Sequence, residues 1–336
     1  MTYLLLELAL MLLVILSAAE LFTNALEHLG ERLKISEGVT GSLFAAVGTA
    51  LPETLVPLLA IMGSTGHVQV NQEIGIGAIL GAPLMLSTLS TFLMAASVLR
   101  ARGWRGKITP ELSGFTRDLN FFLIAFVLAV VAMYVPHRHL LVRALFSAAM
   151  VSVYLVYIVM TVRASDQLVE DGHGTESHAP MLLSRVGLPV NLLTIAVQLA
   201  LAVGLLLWGA QGFIAGIRGV SELFGISALL LSLLIIPIAT ELPEKVNSIL
   251  WIRRRKDTLA FGNITGAMVF QGTLLPAIGI LLTPWAPGIE VVTGILITLL
   301  AAAWMRVNAR ASGIAVWVLL VNGALYAAYL ALTLTR

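Results

Sequence analysis

Apolar stretches as long as the ~20 residues needed to cross a hydrocarbon core recur from one end of this 336-residue chain to the other. Such a chain folds only where the bilayer is its solvent, and there every backbone polar group must find a partner inside the protein. Helices rather than a barrel follow. Barrel strands read as ~10-residue alternating segments, whereas these runs are long and rich in Leu, Ala, Ile and Val. Composition agrees: 59% of residues are hydrophobic and 11% charged, against about a quarter charged in a soluble domain, and the mean hydropathy is +0.96. The first run, Leu4 to Ala19, lacks a basic preceding region and continues to Ala25 without a cleavage motif, so it is read as a mature helix rather than a signal peptide. The absence of cysteine removes disulfides, thiolate metal sites and redox motifs. Lys and Arg in such a chain argue orientation, not nucleic-acid binding.

Apolar runs between charged or turn-rich breaks predict an all-α polytopic membrane protein of ten transmembrane helices. They fall at about 3–28, 37–62, 72–98, 118–135, 140–162, 188–216, 226–251, 258–282, 288–305 and 312–333. With the N-terminus outside, fifteen Lys and Arg fall in the inner connections, for example Arg100, Arg102, Arg105 and Lys107, or Arg253 to Lys256. Four fall outside (Arg138, Arg143, Arg218 and Arg336), and Lys245 lies within a span. The bias places both termini outside. The short-looped, cysteine-free style is that of a prokaryotic inner-membrane protein. The one long polar connection, about Ala164 to Ser184, reads as a solvated linker. A regulatory metal site on its His173, Glu176 and His178 is the sharper alternative.

The linker divides the chain into residues 1–163 and 187–336, and these halves resemble each other. Val47-Gly-Thr-Ala-Leu-Pro-Glu53 matches Ile238-Ala-Thr-Glu-Leu-Pro-Glu244 at an offset of 191, which also pairs Glu20 with Gln211. A Gly-x-x-x-Gly-Ala frame follows each, at Gly77 to Ala82 and Gly262 to Ala267. Five spans per half is an odd number, so the second half enters the membrane from the opposite side. Inverted repeats of this kind carry their site near the midplane, in broken or small-residue helices.

The repeated motif holds chemistry suited to a cation. Pro52 and Pro243 each remove a backbone hydrogen bond inside an apolar span and leave carbonyls without a partner. A carboxylate, Glu53 or Glu244, follows each proline. Hard cations such as Ca²⁺ and Na⁺ take oxygen ligands, and two carboxylates neutralise one divalent ion. Thr49 and Thr240, four residues earlier, lie on the same helical face as the glutamates and can add oxygens. Glu241 and Lys245, spaced i, i+4, can form an internal ion pair. That pair either simply neutralises itself or supplies a built-in cation that replaces one transported ion. Gln271 and Asn263 are candidate neutral ligands. Glu20 and Gln211 either line a path or bridge helices. The glycine frames permit close helix packing, whether or not they also build a site.

These motifs resemble those of the cation/calcium exchanger superfamily, which carries Gly-Thr-Ser-x-Pro-Glu and Gly-Asn-x-x-Gly-Ser-Asn-x-x-Asn/Asp in each of two inverted repeats. The corresponding stretches here are Gly48 to Glu53, Ala239 to Glu244, Gly77 to Leu86 and Gly262 to Gln271. The resemblance implies that Glu53 and Glu244 are the central divalent-ion (metal) ligands, with Thr49 and Thr240 contributing main-chain oxygens. The chain departs from the pattern at Ala50, Glu241, Ala82 and Ala267, where the family has serines, and at Leu86 and Gln271, where it has Asn or Asp. In the family those serines and carboxamides build the flanking sodium sites and complete calcium coordination. The expected function is therefore a secondary antiporter exchanging Ca²⁺, or another cation, for H⁺ or Na⁺, with the lost donors favouring H⁺. A cation channel or uniporter using the same carboxylates, and a degenerate non-transporting homologue, are the alternatives. With no His-Glu-x-x-His, Asp-rich pair or Cys nucleophile, the sequence does not read as an enzyme, and it calls for no cofactor.

Overall fold

The structure is a computed structural model, and it describes residues 2–32, 46–63, 68–169, 180–286 and 288–334. Its helices are α1 (Thr2–Arg32), α2 (Ala46–Met62), α3 (Val68–Met85), α4 (Thr91–Arg102), α5 (Leu112–Met133), α6 (Leu140–Val169), α7 (Leu192–Phe224), α8 (Ala228–Thr240), α9 (Leu242–Arg253), α10 (Asp257–Leu282), α11 (Ile289–Asn308) and α12 (Val316–Leu334). A π turn, Leu86–Ser90, joins α3 to α4. Two-residue strands β1 (Lys107–Ile108) and β2 (Ile314–Ala315) pair antiparallel. Among the described residues, eight helices are long and apolar enough to span a bilayer, and two shorter apolar helices cover Pro52–Met62 and Ala228–Ile238. The stretch predicted at 226–251 is interrupted at Glu241. The linker candidates His173, Glu176 and His178 lie outside the described residues.

The helices form two compact units, and each unit draws on both halves of the chain. Unit 1 comprises residues 1–71 and 160–226. There α1 and α7 run antiparallel, because Gly209, Gly212, Gly216 and Gly219 of α7 meet Ile15, Met11, Leu8 and Leu4 of α1 in that order. The approach is close enough that a Cβ on Gly212 would lie 2.5 Å from Met11 Sδ. Lipid tails are as apolar as leucine, so helices in a membrane associate through such backbone proximity rather than through hydrophobic exclusion. One end is tied by polar groups: Gln198 Nε2 donates to Asn24 Oδ1 and to the Leu21 carbonyl, both at 2.9 Å, and the Leu182 N–H donates to Asn24 Oδ1 at 2.9 Å.

Unit 2 comprises residues 72–159 and 227–336. Here the first glycine frame packs α3 onto α8. A Cβ on Gly77 would fall 2.0 Å from Ser232 Oγ, and one on Gly81 2.2 Å from the Leu233 carbonyl oxygen. The second frame does no such packing, since a Cβ on Gly262 would meet nothing within 4 Å and one on Gly266 only the Tyr157 hydroxyl at 3.7 Å. Gly81→Ala is therefore expected to cost about 1–3 kcal/mol by overpacking, with Gly262→Ala near neutral. Thermal unfolding of the two variants in detergent checks the contrast, and equal midpoints would refute it.

Two polar fastenings hold the ends of α10. At its start, Asp257 accepts from Arg102 through both carboxylate oxygens, at 2.7 Å each, and from the Thr109 N–H at 2.9 Å. At its end lies Arg143, counted above among the outer connections. It sits in the first turn of α6, fully buried, and donates to the carbonyls of Ile280, Thr283 and Pro284. A guanidinium there supplies donors for the last carbonyls of a helix, which have no partners within it. Along α6, Leu140, Leu141, Leu145 and Leu155 are exposed, as befits a surface facing lipid.

Candidate functional site

The two copies of the repeated motif are built differently. In α2 the motif runs through an unbroken helix with Pro52 and Pro57 inside it. Glu53, the residue after Pro52, is only 4% exposed. In the second copy the helix breaks: Glu241 stands between α8 and α9 at φ −90° and ψ 10°. Pro243 then falls in the first turn of α9, where a missing N–H costs no intrahelical bond. Thr240 ends α8, buried, with its Oγ1 donating to the Ile236 carbonyl at 3.1 Å. Glu244 lies on the first turn of α9 and Thr49 on α2, but the side chains of both fall outside the described residues.

The i, i+4 pair expected from the spacing of Glu241 and Lys245 is present. Lys245 Nζ lies 3.2 Å from Glu241 Oε2, and it also donates to the Pro237 carbonyl at 2.8 Å. Glu241 is fully buried and Lys245 7% exposed. A bare ammonium at such a depth is expensive, and the carboxylate and carbonyl together offset its desolvation. Pro237, which sequence reasoning passed over, matters for this reason: its carbonyl is an acceptor at the helix break. Its position four residues before Glu241 and eight before Lys245 was the available signal.

The accessory candidates divide. Asn263 of α10 donates from Nδ2 to Ser248 Oγ of α9 at 2.9 Å and so links the two motif helices of unit 2. Gln271 is buried, and its Oε1 has no hydrogen-bond partner among the described residues. Glu20 and Gln211 are both exposed, and the antiparallel register sets Gln211 beside the level of Met11 rather than that of Glu20. The structure thus does not bring that matching pair together. Among the described residues no three His, Cys, Asp or Glu side chains form a group that could hold a metal ion.

Sequence reasoning also missed Asp118 on α5. It is 6% exposed and accepts from Tyr157 Oη at 3.1 Å and from Thr265 Oγ1 at 2.6 Å, the latter on α10 within the second glycine frame. An aspartate at the edge of an apolar run reads as the end of a loop, and its neighbour Arg117 strengthens that impression. Only the arrangement of α5, α6 and α10 shows it to be enclosed.

Known proteins resemble this chain along its whole length. The family model described as sodium/calcium exchanger protein matches residues 3–163 and 194–335. The inner membrane protein YrbG of Escherichia coli (strain K12) is 25% identical over 279 residues, covering 81% of this chain and 78% of that protein. Among solved structures, an H⁺/Ca²⁺ exchanger, CAX, superposes with a TM-score of 0.70 at 18% identity, covering 99% of this chain and 87% of the other. The sodium-calcium exchanger NCX_Mj does so with a TM-score of 0.58 at 19% identity, covering 98% of each. At these identities the superpositions establish a shared fold.

Proposed function

Given that this chain belongs to the sodium/calcium exchanger protein family, we propose that it is a secondary antiporter exchanging Ca²⁺ for H⁺ or Na⁺ through Glu53 and Glu244. Thr49 and Thr240 lend oxygens beside them. The architecture proposed is ten transmembrane helices in two inverted five-helix repeats, residues 1–163 and 187–336, around the linker 164–186, with both termini outside. Three findings support it: the family model matches each half separately, the eight long and two shorter apolar helices among the described residues number ten, and the first helices of the two halves, α1 and α7, are antiparallel.

The observation that carries the functional reading is the break at Glu241. A helix opened there, with a cation held between a buried carboxylate and a backbone carbonyl, is the arrangement a carrier uses to strip water from an ion. In this protein that cation is the ammonium of Lys245. We assign Lys245 the place of one monovalent coupling ion, in keeping with the loss of sodium-site donors at Ala50, Ala82, Ala267 and Leu86. Fewer oxygen donors with two carboxylates retained favours H⁺ over Na⁺ as the counter-ion. Protons on the carboxylates would exclude Ca²⁺, and only an occupied site would change its exposure.

The test is ⁴⁵Ca²⁺ uptake into proteoliposomes driven separately by outward H⁺ and Na⁺ gradients. Uptake with the H⁺ gradient is expected. Uptake with neither would leave the non-transporting reading, and gradient-independent unitary currents would indicate a channel. The role of Lys245 has its own check. Lys245→Met removes the ammonium from beside Glu241, so the variant's thermal stability in detergent should rise with added Na⁺ or with lowered pH, as a cation taking its place stabilises by mass action. The parent protein, whose Lys245 already occupies that place, should show a smaller response to each; equal responses in both would reduce Lys245 to a neutralising partner.

A further inference from the structure

We propose that Asp118 is a proton-binding site apart from the glutamates, and that the motif helix α10 registers its proton through Thr265. All the groups involved lie in unit 2. Thr265 Oγ1 lies 2.6 Å from Asp118 Oδ2 and 2.9 Å from the carbonyl of Phe261, one turn back in its own helix. A hydroxyl has one hydrogen and can donate to one of them at a time. With Asp118 ionised, the Thr265 hydrogen points to the carboxylate, and Tyr157 donates to Oδ1 at 3.1 Å. When hydronium transfers a proton to Oδ2, its O–H bond breaks and water leaves; the new carboxyl O–H donates to Thr265 Oγ1, and the Thr265 hydrogen turns to the Phe261 carbonyl. One O–H bond breaks, one forms, and both states leave every hydrogen placed. A site serving packing alone would be satisfied by Asn or Ser without an ionisable group inside an apolar span, which is costly there and characteristic of function.

The uptake changes α10 itself. In one state the Thr265 hydroxyl ties α10 to α5; in the other it donates to the Phe261 carbonyl one turn back in α10, a side-chain bond of the kind that bends a helix. Among the described residues, the charges that act on Asp118 from its own segment are Arg117 on α5 and Glu111, which caps that helix. From α6 come Tyr157 and, beside it, Tyr154, which also meets Phe270 of α10 edge-on. From α10 comes Asp257, about two turns away and held by Arg102. From α11, Arg306 donates to Asn120 Oδ1 at 2.6 Å.

The experiment is pH-difference infrared spectroscopy of the full-length protein reconstituted in lipid, read beside ⁴⁵Ca²⁺ uptake across the same pH range. The parent protein should show a protonated-carboxyl stretch that Asp118→Asn abolishes and that Thr265→Val displaces in frequency, since its hydrogen-bond partner is gone. If Asp118→Asn does not fold, the displacement in Thr265→Val and in Tyr157→Phe carries the test. No such stretch, or one unchanged in all three variants, overturns the site. The uptake arm alone rests on the antiporter reading: Asp118→Asn should remove one step from the pH profile of exchange, and an unchanged profile with the stretch lost overturns the coupling to α10. A parent protein that transports nothing leaves the infrared result valid, so the two failures are distinguishable.

Discussion

Glu53→Gln is expected to bring gradient-driven ⁴⁵Ca²⁺ uptake down to the level of protein-free liposomes, and Glu244→Gln to do the same. Gln keeps the volume and one oxygen of Glu but removes the charge. On the proposed two-glutamate reading, a divalent ion would then face one carboxylate in place of two; Glu53 itself is only 4% exposed. Removing one partner of a buried, coordinated charge costs about 2–5 kcal/mol, which is about 30- to 4,000-fold in affinity at 1.4 kcal/mol per decade. Either end of that range lowers site occupancy at sub-saturating Ca²⁺ by at least about 30-fold. Uptake retained by Glu53→Gln would remove the two-glutamate site while leaving the family assignment intact.

The largest expected effect on stability is that of Arg143. Its guanidinium is fully buried and donates to Ile280, Thr283 and Pro284 carbonyls, with no carboxylate among these partners. Arg143→Met keeps much of the aliphatic stem and strands those carbonyls; each buried acceptor left unpaired costs about 1–3 kcal/mol, so a loss of roughly 3 kcal/mol or more is expected. Arg143→Lys has three donors but no planar fork and should recover only part. The unfolding midpoint in detergent measures both. A parent-like midpoint for Arg143→Met would mean that water replaces the guanidinium and that the C-terminal end of α10 needs no side chain to close it. The neighbouring Trp285 shows how tightly that end is packed: it is fully buried, with Nε1 donating to the Ala129 carbonyl at 3.0 Å, and a Cβ on Gly279 would lie 2.4 Å from its ring.

Much of the candidate site was legible because membrane burial leaves few excuses for a charge. Glu53, Glu241 and Lys245 stood out against apolar neighbours, and the i, i+4 spacing sufficed to pair the last two. Asp118 did not stand out, because it borders a polar connection and looks solvated until Thr265 and Tyr157 close over it. Arg143 was misread for a related reason: an arginine at the start of a span normally reaches for the interface, and here it turns inward to carbonyls at the end of a helix more than a hundred residues away. Glu20 and Gln211 matched across the halves, yet antiparallel packing separates them, since equivalence in an inverted repeat is not proximity.

The sequence by itself determined the solvent, the helical class, the repeated motifs and the pairing of Glu241 with Lys245, because hydropathy and helical spacing are local properties that no later packing can undo. Only the tertiary structure decided which glycines carry helix contacts, which carbonyl Lys245 reaches and what encloses Asp118. Those depend on groups distant in the chain meeting within a few ångströms, and no local pattern encodes which partner a backbone oxygen or a bare glycine face will find.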